Sequence, residues 1–141
     1  MKGLVLLLGE SFRMGGQHSR DRGNDDAYDE QMKACESHVD FMHGLVQRFK
    51  LESLQVYIGT YRTKFDEDLI GFYKTQLVGN LFLDDVIGLN NLFHKCITDI
   101  ENIEQYDFIL YLRIDLCLKE RFKEVFNPLA CLLYTSPSPR D

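Results

Sequence analysis

The sequence predicts an α/β domain: a mostly parallel sheet with helices on both faces. Two patterns lead there. Short, continuous apolar runs recur along the chain, and segments of helical periodicity fall between them. Strands that alternate with helices favour parallel pairing, because each crossover helix returns the chain to the same end of the sheet. At 141 residues the chain allows one domain or part of one.

Residues 3–8 read as a strand buried on both faces. A polar, glycine-rich stretch follows from Gly9 to Asn24. From Asp25 or Asp26 to about Phe49, Tyr28, Met32, Cys35, Val39, Met42, Val46 and Phe49 recur at steps of four and three, which is one stripe of a helix. Asp25, Asp26, Asp29 and Glu30 sit where the helix dipole favours negative charge. Residues 54–58 form the second predicted strand, and residues 59–64 leave it as a loop. A short helix begins around Phe65, Leu69 and Phe72. Residues 76–83 are the third strand, weakened by Gly79. The spacing of Leu89, Phe93, Cys96, Ile100 and Ile103 predicts a helix over 86–104. Residues 108–112 are the fourth strand, and 118–126 read as a last short helix before Pro128. In such a fold ligands bind at the carboxyl ends of the strands, so residues 9–13, 59–63 and 113–115 are expected to converge there.

Apolar residues make up 45% of the chain and charged residues 27%, which excludes a disordered or collagen-like chain. A net charge of −6 gives no general attraction for nucleic acid, so no nucleic-acid partner is expected and any anion site has to be local. The apolar run at Leu4–Leu8 is too short for a signal-peptide core or a membrane span, so no transmembrane segment and a cytoplasmic address are expected. Cys35, Cys96 and Cys117 show no metal-binding spacing. Residues 131–141, Cys-Leu-Leu-Tyr-Thr-Ser-Pro-Ser-Pro-Arg-Asp, match a translated sequencing-library adapter. They are therefore expected to be an artefactual tail on a partial domain spanning 1–130.

Two segments carry chemistry. The stretch 9–24 is longer than most connections in such folds, and it holds Arg13, Arg20 and Arg22 with Gly15, Gly16, Gly23 and His18. Glycines let backbone N–H groups approach a phosphate, guanidinium groups match its oxygens, and the following helix adds its positive end. A solvated loop of mixed charge is the alternative. The stretch is neither a Walker loop nor a dinucleotide fingerprint: G-K-[ST] is missing, and so is G-x-G-x-x-G after the first strand. The second segment is the strand 108–112 ending in Arg113-Ile114-Asp115. Its two charges fall on one side, and the carboxylate suits Mg²⁺ or Mn²⁺ bridging phosphates; a local ion pair is the alternative.

With Ile87-Gly88-Leu89-Asn90-Asn91-Leu92 opening a helix and residues 108–115 closing a buried strand, the chain resembles the N-terminal half of a nucleotide-diphospho-sugar transferase of the GT-A type. The stretch Tyr106 to Asp115 is also similar to capsule-type sugar transferases carrying Arg-x-Asp at this place. The resemblance implies a Rossmann-like half of that fold, truncated, whose catalytic residues lie further along the chain. It implies a nucleotide-sugar donor, a glycan or polysaccharide acceptor and a Mn or Mg ion. Asp115 takes the place of the family's second acidic ligand, while Arg113 stands where the first would be and would meet the diphosphate or hold Asp115. Gly9, Glu10, Ser11, Arg13, Arg20, Arg22, Thr60, Tyr61 and Arg113 are the expected donor-binding residues. Arg62, Asp84 and Asp85 are further candidates.

Two other readings remain. Leu6-Leu7-Leu8-Gly9-Glu10-Ser11 resembles the strand and Gly-Asp-Ser start of GDSL-type esterases, which would make Ser11 a nucleophile in need of a base. A non-catalytic nucleotide-binding module is the other.

Overall fold

The computed structural model describes residues 1–14 and 21–119. Strand β1 is Lys2–Leu8, and short strands β2 (Arg13–Met14) and β3 (Asp21–Arg22) pair antiparallel in the segment after it. Helix α1 is Tyr28–Phe49, β4 is Ser53–Tyr61, α2 is Asp66–Phe72, β5 is Leu77–Leu83, α3 is Leu89–Asp99 and β6 is Phe108–Arg113. The four long strands form one sheet in the order β5-β4-β1-β6, with every pair parallel. Numbered along the chain, that order is 3-2-1-4, the order of a Rossmann half.

Alternate residues of β1 serve opposite cores, as a strand's two-residue period requires. Val5 and Leu7 pack with Val56, Ile58, Leu112, the α1 residues Cys35, Phe41, Met42 and Leu45, and Leu69 of α2. Leu4, Leu6 and Leu8 pack with Tyr57, Tyr61 and the α3 residues Leu92 and Cys96. Thus α1 and α2 cover one face and α3 the other. Leu4 to Leu8 are completely enclosed. At roughly 1.5–3 kcal/mol per large apolar side chain, this strand anchors both cores.

Three boundaries differ from expectation. The first helix opens with a 3-10 turn at Asp25–Ala27, where the Asn24 side chain accepts a hydrogen bond from the Asp26 N–H at 2.8 Å. Strand β4 runs on through Gly59, Thr60 and Tyr61, which were expected to form a loop. Gly59 belongs in the strand because a Cβ there would overlap Cys96 Sγ and lie 2.6 Å from Leu8 Cδ2; its missing side chain is a packing requirement. Helix α3 starts at Leu89 and ends at Asp99, well inside the expected 86–104. Eleven residues span about 16 Å, enough to recross a sheet of this depth. Beyond Asp99, Ile100 is extended, Asn102 is left-handed at φ 53°, and Ile103–Gln105 make a separate 3-10 turn. Leu118 and Lys119 are not helical, and the rest of the expected last helix lies outside the described residues.

Candidate functional site

Reversal of the strand order falls between β1 and β6, the adjacent strands whose helices lie on opposite faces. The crevice of a doubly wound fold opens at such a point. Here it brings together residues more than a hundred positions apart.

Several contacts fix the chain leaving β1. Gly9, at φ 126°, donates its N–H to the Gly59 carbonyl at 3.2 Å. The Thr60 hydroxyl donates to the Gly9 carbonyl at 2.6 Å and accepts from the Ser11 N–H at 3.2 Å. Phe12 takes a left-handed backbone, φ 52°, which is costly for a bulky residue. Its ring is enclosed by Tyr28 and Phe65, with centroids 5.7 and 4.8 Å away. This start of the glycine-rich stretch is therefore anchored rather than solvated.

Gln31 of α1 links the two halves of the crevice. Its Oε1 accepts from the Phe12 N–H at 3.0 Å, and its Nε2 donates to the Ile114 carbonyl at 2.8 Å. Further along α1, the Ser37 hydroxyl accepts from the Leu118 N–H at 2.9 Å. His38 Nε2 lies 2.8 Å from the Leu116 carbonyl and Nδ1 lies 3.0 Å from the Tyr73 hydroxyl. A carbonyl only accepts, so Nε2 carries the proton and Nδ1 accepts from the phenol. Three polar residues on one helix thus hold the segment 114–118 that follows β6.

Burial pushes the His38 imidazole below its ordinary value, opposed by the Leu116 carbonyl and the Asp115 carboxylate. In the unfolded chain His38 regains a value near 6.5. Stability from the neutral imidazole is therefore full above that value and is lost as pH falls toward the folded-state value. We expect the urea midpoint to fall as pH is lowered through about 6.5, and His38→Gln to flatten that fall. An unchanged slope in the variant would mean that other groups set it.

The crevice is a cavity of about 280 Å³ lined by Gly9, Glu10, Arg13, Tyr61, Gly88 and Arg113, with Val86 and Leu89 at its edge. Arg13 lies 3.4 Å from Glu10, and Arg113 donates to Asp115 Oδ2 at 3.0 Å. These four side chains cancel in charge, so they do not make the strongly basic patch the arginine count suggested. A positive bias comes instead from the start of α3. Gly88 caps it at φ 84° with no side-chain cap, and its first turn holds no acid. The opening N–H groups of that helix have no intrahelical partner and face this end of the sheet.

Three alternate residues at the end of β6 carry polar atoms with unmet capacity. Tyr111 Oη, Arg113 Nε and Asp115 Oδ1 are buried and have no hydrogen-bond partner among the described residues. Burial pushes the Tyr111 phenol up, so it stays protonated. A Cβ on Gly9 would lie 3.8 Å from Asp115 Oδ1, so both strand-end loops meet here.

The expected site residues fall into three groups. Gly9, Glu10, Arg13, Tyr61 and Arg113 line the cavity, and Asp115 adjoins it through Arg113. Ser11 and Thr60 are fully enclosed beneath it with hydroxyls 3.2 Å apart, so they support the loop rather than line the cavity. Arg62 is exposed and pairs with Asp84 at 2.9 Å. Arg22 lies opposite Arg13 in the β2–β3 register, while Arg20 and His18 lie outside the described residues. Sequence reading missed Gln31, His38 and the start of α3. The two polar residues sit seven apart on the buried face of α1, a pattern that a search for apolar stripes passes over.

By fold and crevice the molecule is a Rossmann-like α/β domain with an all-parallel sheet. No family model, curated protein or solved structure matches the chain. Among the described residues no helix is long and apolar enough to cross a membrane.

Proposed function

We propose that the crevice binds the diphosphate of a nucleotide sugar, and that the chain is a glycosyltransferase-like domain passing the sugar to a glycan or polysaccharide acceptor. The observation that carries this reading is the pairing of an unmet buried donor with an unmet buried acceptor at the strand-order reversal: Arg113 Nε and Asp115 Oδ1. Leaving such groups unpaired costs about 1–3 kcal/mol each, and a ligand that accepts from Arg113 Nε and brings a hydroxyl donor or a cation to Asp115 Oδ1 recovers it. A diphosphate oxygen accepts from Arg113 Nε. The first N–H groups of α3 and the Arg13 guanidinium face the same anion. As the sugar–oxygen bond breaks, negative charge grows on the leaving diphosphate, and these fixed donors stabilise it without reorganising.

A Mn or Mg ion fits this arrangement through one atom, Asp115 Oδ1. No cluster of three potential ligands occurs among the described residues, so diphosphate oxygens and water would complete its shell. Bound there, the ion would add positive charge beside the leaving group.

The esterase reading has less support. The Ser11 hydroxyl is buried against Thr60, and His38 is engaged by Tyr73 and the Leu116 carbonyl. A serine nucleophile needs a base within hydrogen-bond reach.

Calorimetric titration of the chain with uridine and guanosine diphosphates and their sugars, with and without Mn²⁺, tests the reading. We expect saturable binding that Arg113→Met weakens roughly ten- to hundred-fold, the value of a hydrogen bond to a charged group. Asp115→Asn should remove any Mn²⁺ dependence while leaving metal-free binding. Absence of diphosphate binding, or equal affinity in Arg113→Met, would overturn the proposal.

A further inference from the structure

A second and larger cavity, about 530 Å³, lies on the α3 face toward the opposite end of the sheet. Tyr61 of the crevice and Tyr57 of this cavity are four residues apart on β4, about 13 Å along the strand. Helix α3 connects the two places: its start borders the crevice and its last residue, Asp99, borders the cavity.

The cavity owes its shape to an irregularity. Val56 pairs with Leu77 but Tyr57 pairs with Gly79, so Val78 is the extra residue of a β-bulge. The Tyr57 ring lies over Gly79, where a Cβ would be 3.0 Å from Cε2. The Tyr57 ring is enclosed between Gly79 and the α3-side core, and its hydroxyl donates to Asp99 Oδ2 at the cavity. On another wall the Tyr106 hydroxyl donates to Gln55 Oε1 at 2.8 Å, which turns the Gln55 amide nitrogen into the donor that remains. Asn102 and Gln105 add two further carboxamides, and Glu101 adds a carboxylate.

This lining selects among ligands. It holds no lysine or arginine and two carboxylates, which excludes a phosphate or any other anion. It does not suit a simple cation either: with Gln55 Oε1 taken by Tyr106, the Gln55 amide nitrogen remains as a donor, and an ammonium group needs acceptors alone. Carboxamides that donate and accept, two carboxylates that accept, and the half-buried Tyr106 ring beside them match a ring of hydroxyl groups with an apolar C–H edge.

We propose that this cavity is a binding site for a neutral saccharide, separate from the diphosphate crevice. The site stands on its own lining and does not depend on transfer chemistry at the crevice.

Nuclear magnetic resonance titration of the ¹⁵N-labelled chain with neutral gluco-, galacto- and N-acetylglucosamine oligosaccharides tests it. Saturable shifts confined to residues 55–57, 78–79 and 99–106 are expected for at least one of them. Val78→Arg places a long cationic side chain in the cavity from an exposed position, with no core contact to lose. It should abolish those shifts and leave the diphosphate titration unchanged. Tyr106→Phe should weaken saccharide binding several-fold through loss of one hydroxyl. Shifts that persist unchanged in Val78→Arg, no response to any of the saccharides, or a response to spermidine or choline in their place would each overturn the proposal. A chain that binds saccharide here but no diphosphate at the crevice would remove the transferase reading alone.

Discussion

Gly59→Val is expected to cost the domain about 3 kcal/mol, a large fraction of the roughly 5–15 kcal/mol that holds a small domain together. Even the first carbon of a side chain would overlap Cys96 Sγ and lie 2.6 Å from Leu8 Cδ2. Neither neighbour yields easily. Leu8 is completely enclosed in the central strand, and Cys96 is a buried residue of α3 pressed against the sheet. The same burial pushes the Cys96 thiol up to about 12, so it acts as a small apolar group and not as a thiolate. Adding Cys96→Ala removes the sulfur and should restore part of the loss, a coupling that a double-mutant cycle in urea measures directly. A Gly59→Val protein with the parental midpoint would show that α3 is not seated on β4 as described. The damage extends to the crevice, because the Gly59 carbonyl receives the Gly9 N–H.

Gln31→Met should destabilise by about 2–6 kcal/mol. It removes the acceptor of the Phe12 N–H and the donor to the Ile114 carbonyl together, and each group left unpaired in the interior costs about 1–3 kcal/mol. Methionine keeps the volume and the flexibility, so packing contributes little to the difference. Gln31→Glu isolates one half of the effect. It retains an oxygen for Phe12 but sets another against the Ile114 carbonyl, and protonating the new carboxyl relieves that repulsion. Its unfolding midpoint should therefore approach the parental value as pH is lowered. Equal midpoints for Gln31→Met and the parent protein would rule out this link between the strand ends. Both variants should also weaken the proposed diphosphate binding, since Arg13 and Arg113 are carried by the segments that Gln31 joins.

Much of the architecture was legible in the sequence because strands buried on both faces need unbroken apolar runs. Residues 3–8 show this at the centre of the sheet; residues 108–112 read the same way and form a strand, but among the described residues it is an end strand with Ile109 exposed. Where glycine carried the packing, the pattern misled: Gly59 reads locally as the end of a strand, and only the opposing Cys96 shows why it sits inside one. Ile100 continues the periodicity of α3 although the backbone has already turned, because an apolar side chain in an irregular connection also seeks the core. The crevice was legible as a set of strand ends. The Arg113–Asp115 ion pair was one of the two readings of its segment, whereas the Arg13–Glu10 pair was not legible, since charge balance depends on which side chains meet in space. Gln31 gave no periodic signal, because its role depends on two backbone groups, one of them 83 positions away.

The central position of β1 has a consequence for biosynthesis. Strand β1 leaves the ribosome before either of its neighbours, which are supplied by residues 53–61 and 108–113. One flank can close early, but the other stays open until β6 follows about a hundred residues later, several seconds at ordinary elongation rates of about 5–20 residues per second. During that interval five consecutive aliphatic side chains, Leu4 to Leu8, lack part of their cover. Nascent chains of this protein should therefore engage holdase chaperones until β6 emerges, and synonymous codons that slow translation between Leu83 and Phe108 should lengthen that engagement.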